Sequence, residues 1–136
     1  MRAWLFPAAV TVIFWGLFGF IPKITTRYIS PTSATVYAAF AGVPVALIIM
    51  AIMRFQLDTE PRGVILASIT GVLGMLGALA YLVAVSRGPV SLISPFTALY
   101  PAFTILLAMV FLGETLVLRQ WVGIGMALGA AVLIAA

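Results

Sequence analysis

The strongest constraint on this chain is a succession of long apolar runs separated by short polar turns. Several approach the ~20 consecutive apolar residues needed to cross the ~30 Å hydrocarbon core of a bilayer. Hydrocarbon offers a peptide group no hydrogen-bonding partner, so an isolated spanning segment has to be helical. Five runs can be delimited, at 3–21, 34–53, 64–85, 90–112 and, shorter, 121–136. The fold expected is an all-α integral membrane protein of about five transmembrane helices, a single domain over residues 1–136. Composition agrees: 65% of residues are hydrophobic and 7% charged, too few polar side chains to coat a water-soluble surface.

The turns carry helix-start and helix-stop chemistry. A basic start at Met1-Arg2 could open a signal peptide, but the first run ends in bulky Phe18-Gly19-Phe20-Ile21, with no small-residue cleavage site, which predicts a retained span. A polar stretch with Pro22, Lys23, Arg27, Ser30 and Pro31 follows, and Pro31, Thr32 and Ser33 suit the start of a second helix. The hydrophilic loop Arg54 to Gly63 holds Asp58, Glu60, Pro61 and Arg62. Ser86-Arg87-Gly88-Pro89 and the interval from Gly113 to Gln120 supply the remaining two turns.

The net charge of +4 is scattered singly between apolar runs, so the basic residues are expected to anchor span ends at lipid headgroups and not to bind nucleic acid. With the N-terminus inside, Arg2, Arg54, Arg62 and Arg119 would lie inside against Lys23, Arg27 and Arg87 outside. That weak four-to-three bias places the N-terminus inside by a small margin, or else allows insertion in both orientations and an antiparallel homodimer. An odd number of spans fits this plan, since a tandem copy would be inverted. The chain has no cysteine and no histidine, so no metal site or cofactor is expected. No acid falls in mid-span, which argues against an enzyme and against proton coupling through an intramembrane carboxylate.

Polar groups inside the runs mark candidate solute contacts. On the fourth run Ser94, Thr97, Pro101 and Thr104 fall within about 80° of one another at ~100° per residue, with Ser91 flanking them. Such a stripe either joins helices through hydroxyls or lines a cavity. Pro95 and Pro101 deprive the carbonyls of Ser91 and Thr97 of helical donors, and Pro44 does the same to Phe40, which makes these prolines candidate hinges. Trp15, Phe18, Tyr37, Tyr81 and Tyr100 add rings, those of tyrosine with a hydrogen-bonding tip. Tyr37 and Tyr81 are close enough to span ends to serve equally as interfacial residues, whereas Trp15 and Tyr100 lie deeper. Glycines at 71, 74 and 77, and a G-x-x-x-G at Gly125 and Gly129, permit close backbone contact; the latter pair is the favoured dimer face. Glu114 and Arg119 are expected to pair at the interface or to cap the last helix.

From the third run onward the sequence resembles a known family. Ala80-Tyr81-Leu82-Val83-Ala84-Val85-Ser86-Arg87-Gly88-Pro89-Val90-Ser91 is followed by Ser94-Pro95-Phe96-Thr97-Ala98-Leu99-Tyr100-Pro101, then Leu112-Gly113-Glu114-Thr115 and Gln120-Trp121-Val122-Gly123. Together with Phe14-Trp15-Gly16-Leu17-Phe18 and Lys23, these resemble the EamA module of the drug/metabolite transporter superfamily. The resemblance implies a five-helix unit, one inverted-repeat half of a ten-helix bundle, exporting metabolites, amino acids or drugs. One copy is present, and the Met1 start and end at Ala136 are read as a natural half-size form. The related small multidrug-resistance proteins carry a glutamate in their first helix; here Thr11 is the polar residue before Trp15.

The expected function is export or exchange of a small organic solute by alternating access, in a prokaryotic inner membrane, by a homodimer. Trp15, Tyr81, Ser94, Thr97, Tyr100 and Thr104 are the expected solute contacts. The alternative from another class is a non-transporting membrane subunit or scaffold that partners a second membrane protein.

Overall fold

A computed structural model describes residues 5–135, with side chains from 5 to 133. The expected start of the first span at Ala3, the charge at Arg2 and the final residue Ala136 lie outside the described residues. Every regular element described is helical: α1 (Leu5–Thr25), α2 (Pro31–Ile52), α3 (Pro61–Arg87), α4 (Val90–Thr97), α5 (Tyr100–Leu112) and α6 (Leu118–Ala135). Four stretches are long and apolar enough to cross a bilayer, namely α1, α2, α3 and the α4–α5 stretch Val90–Leu112, and a shorter apolar helix closes the chain. The protein is an integral, multi-pass membrane protein.

The helix ends follow from local chemistry. Ser30 caps α2, its hydroxyl accepting from the Ser33 amide at 3.2 Å, and Pro31 takes the first helical position, where a missing N–H does no harm. The Glu60 carboxylate accepts from the Gly63 amide at 2.7 Å, ahead of Pro61 at the start of α3. Gly113, at φ 66°, ends α5 in the left-handed region that a residue without a Cβ enters most easily. Arg54 and Phe55 follow α2 with φ of 53° and 60°, and the Phe55 amide reaches the Met50 carbonyl at 2.9 Å. The start of α6 is held by Gln120, whose side-chain oxygen accepts from the Val117 amide at 2.9 Å.

Three boundaries differ from the sequence reading. The first helix does not stop at Ile21 but continues through Pro22 and Lys23 to Thr25. The third helix begins about a turn earlier than expected, because Pro61 opens it instead of lying in the preceding loop, whereas α2 starts at Pro31, where the sequence placed helix-start chemistry. The fourth run is two helices, broken at Ala98 and Leu99. Pro101 lies in the first turn of α5, where a proline is readily accommodated, so it starts a helix where a kink within one was expected.

The chain divides into two compact units, Met1–Arg87 and Gly88–Ala136. In the first, α1 and α2 both pack on α3; in the second, α4 packs on α6. Among the described residues the buried apolar side chains are Pro22, Ala34, Leu82 and Val85 in the first unit and Ala131 in the second. Large apolar side chains such as Phe6, Phe40, Phe111 and Leu133 are turned outward. That pattern is impossible in water at this density and natural in a bilayer, where lipid tails do the work of a core. Hydroxyls inside the spans obey the same rule: Thr11 donates to the Pro7 carbonyl, Ser68 to Val64 and Thr70 to Leu66, each one turn back.

Candidate solute site

The first unit contains a half-open cavity of about 190 Å³ lined by all three of its helices. From α1 it is lined by Phe18, Ile21, Pro22 and Thr25. Ala34 and Ala38 line it from α2, and Ala78, Tyr81 and Leu82 from α3. The three alanines explain the space: short side chains at those positions on α2 and α3 leave a gap that leucine would fill. Thr25 and Tyr81 are the hydroxyl-bearing residues of the lining. Both protons are committed to backbone oxygens: Thr25 donates to the Ile21 carbonyl at 3.2 Å, Tyr81 to the Gly19 carbonyl at 2.7 Å.

Two hydrogen bonds cross from α1 to α3 beside this cavity. Tyr81 of α3 donates to the main chain of α1 at Gly19, and Lys23 of α1 donates to the main chain of α3 at Val85, also at 2.7 Å. Each pair is 62 residues apart in sequence. Gly19 and Lys23 are one helical turn apart, as are Tyr81 and Val85, so the two bonds form a reciprocal two-rung ladder between the helices.

The second rung has a cause in the sequence. The helical donor for the Val85 carbonyl would be the N–H of residue 89, and Pro89 has none. Val85 is fully buried, at 0% exposure, so water is no substitute. The Lys23 ammonium supplies the missing donor and also brings positive charge to the C-terminal end of the α3 dipole. Pro22, buried between the helices, similarly removes the donor for the Phe18 carbonyl and loosens the last turn of α1 where the ladder forms.

The six expected solute contacts divide between the units. Tyr81 lines the cavity and forms the first rung. Trp15 lies on α1 one turn before Gly19 and is 58% exposed. Ser94 and Thr97 are on α4, Tyr100 and Thr104 on α5. The stripe drawn through Ser94, Thr97, Pro101 and Thr104 assumed one continuous helix; the structure divides it between α4 and α5, with Leu99 between them in right-handed helical geometry. Thr97 donates to the Ser94 carbonyl at 2.9 Å and Thr104 to the Tyr100 carbonyl at 3.2 Å, so both hydroxyls bond within their own turns. Of the expected hinges, Pro44 lies inside α2, Pro95 inside α4 and Pro101 in the first turn of α5. Glu114 follows the left-handed Gly113, and Arg119 is in the first turn of α6.

Sequence reasoning missed Lys23 and Pro22 as site-forming residues and assigned both to a loop. It also passed over Ala34, Ala38 and Ala78. A signal was present for Lys23: a proline at 89 strips the Val85 carbonyl just as Pro95 strips that of Ser91, and an orphaned carbonyl at a span end calls for a cation.

Comparison with known proteins adds three findings. The EamA-like transporter family matches the chain over residues 2–136. Uncharacterized protein MJ1333.1 of Methanocaldococcus jannaschii is 30% identical over 115 residues, which cover 85% of this chain and 83% of that protein. No solved structure matches the chain.

Proposed function

The chain belongs to the EamA-like transporter family, as a single module of the drug/metabolite transporter superfamily, and from that premise we propose that it carries a small organic solute across the membrane by alternating access, with the cavity between α1, α2 and α3 as part of the solute path. The observation that carries this reading is the cavity itself, bounded by three membrane-spanning helices and bordered by a ladder of two hydrogen bonds. Side chain-to-carbonyl bonds suit a moving contact, because a side-chain donor can leave a carbonyl without unwinding either helix. Opening and closing of α1 against α3 would then expose the cavity in turn to either side.

A half-size module needs a second half to complete an inverted-repeat carrier, and an antiparallel homodimer supplies one. Trp15 and Tyr81 from the first unit, and Ser94, Thr97, Tyr100 and Thr104 from the second, are the solute contacts in this proposal, with Pro44, Pro95 and Pro101 as hinges and Glu114 with Arg119 at the interface. Export from the cytoplasm of a prokaryotic cell is the direction and setting proposed.

Counterflow in proteoliposomes tests the reading. The purified chain should accelerate exchange of at least one member of a broad panel of metabolites, amino acids and drugs, and Tyr81→Ala should lower that rate while the protein remains helical. A folded protein that moves none of them favours the scaffold reading instead.

A further inference from the structure

We propose that the α1–α2–α3 cavity seats an uncharged apolar group the size of a single small ring, and that it rejects a carboxylate or an ammonium in the same position. The inference deepens the proposed function and rests on reading this cavity as part of the solute path.

Size comes first. At about 190 Å³ and open on one side, this cavity is slightly larger than the ~150 Å³ closed space, lined by aliphatic and aromatic side chains, that takes up benzene. It is too small for a dinucleotide or a sugar nucleotide and well matched to a phenyl or branched aliphatic group.

Chemistry narrows the occupant further. An anion would need hydrogen-bond donors, and the two hydroxyl protons in the lining already point to the carbonyls of Ile21 and Gly19. The nearest cation in sequence, Lys23, is not part of the lining, and its amine is held by the Val85 carbonyl. A cationic group would need a carboxylate, and the acids of this chain, Asp58, Glu60 and Glu114, all lie outside the runs that form α1, α2 and the cavity segment of α3. A charge placed against this lining would give up hydration and meet neither a counter-charge nor a free hydrogen-bonding group in return. An uncharged ring loses nothing polar and gains contact with Phe18, Ile21 and Leu82. For a zwitterionic solute, the side chain alone could occupy this position, with the head group elsewhere.

The test is binding, read independently of flux. The full chain in lipid nanodiscs is titrated with fluorobenzene by fluorine NMR, then challenged with benzyl alcohol, benzoate and benzylammonium. Ala78→Leu and, from the opposite wall, Ala38→Leu fill the cavity, each checked for helicity and size. The proposal expects saturable fluorobenzene binding in the wild type, displacement by benzyl alcohol, competition by both ions at least about tenfold weaker, and loss of the saturable component in whichever filled variant folds. Competition by either ion as strong as by benzyl alcohol overturns it. So does uptake that never saturates and is unchanged in both variants, since that is partition into lipid. The two readings fail separately: saturable ring binding without counterflow of any solute removes the transport reading and leaves the cavity's preference, whereas counterflow of a solute without ring binding does the reverse.

Discussion

Lys23→Met removes the ammonium and keeps an unbranched apolar stem of similar length, so it isolates the second rung of the ladder. The Val85 carbonyl then lacks its usual helical donor, because residue 89 is proline, and has no access to water, because Val85 is fully buried. An unsatisfied buried acceptor costs ~1–3 kcal/mol, and loss of the positive charge at the end of the α3 dipole adds ~0.3–1 kcal/mol. Against this, polar contacts between membrane helices average only ~0.6 kcal/mol and reach ~1.7, because the unfolded chain in a membrane also finds partners. We expect a loss of about 1.5 kcal/mol, which is more than a tenfold change in the folding equilibrium. The assay is reversible unfolding in mixed micelles, followed by circular dichroism as the fraction of denaturing detergent rises. Lys23→Arg, which keeps a donor and the charge, should recover at least half of the loss. A Lys23→Met protein as stable as wild type, or Lys23→Arg as unstable as Lys23→Met, would refute the argument that an amine substitutes for the missing amide of residue 89.

Three further predictions use the same unfolding assay. Tyr81→Phe keeps the ring against the cavity and removes the donor to Gly19, so stability should fall by about 1 kcal/mol while ring binding persists. Gly113→Ala should cost about 1 kcal/mol from backbone strain alone, because an added Cβ meets nothing within 4 Å and the residue sits at φ 66°; Gly113→Asn should cost less. Ser30→Ala removes the cap on the Ser33 amide and should cost about 1 kcal/mol, whereas Ser30→Asp should be close to neutral.

How much of this was legible beforehand depends on whether the cause was local. The membrane-spanning helices follow from run length, and Ser30, Pro31 and Gly113 act as their types do at helix ends anywhere. Pro22 shows where local rules give way. Read alone it stops a helix, but here it is buried by its neighbours, and the turn beyond it is tied to α3 by Lys23. The contact that overrides the rule spans 62 residues, and nothing in the periodicity of either segment reveals it. Pro101 errs in the other direction. A wheel drawn through Ser94, Thr97 and Thr104 presumes an unbroken helix, whereas α4 ends at Thr97 and Pro101 lies in the first turn of a new helix. The cavity was invisible for a different reason: its space comes from what Ala34, Ala38 and Ala78 lack, and an alanine in an apolar run carries no mark distinguishing a gap from close packing.

The central claim is that the α1–α2–α3 cavity faces each side of the membrane in turn, and the absence of native cysteine makes one measurement direct. Ala78→Cys places a single thiol in the cavity lining, and a membrane-impermeant thiol reagent is applied to proteoliposomes first from outside alone and then, in a separate sample, from inside alone. Alternating access predicts that labelling from either side goes to completion, and that a bound solute slows both reactions. A static protein inserted in both orientations would stop at a fraction from each side, and those fractions would sum to the whole; that result, or no labelling from one side at all, would contradict the account.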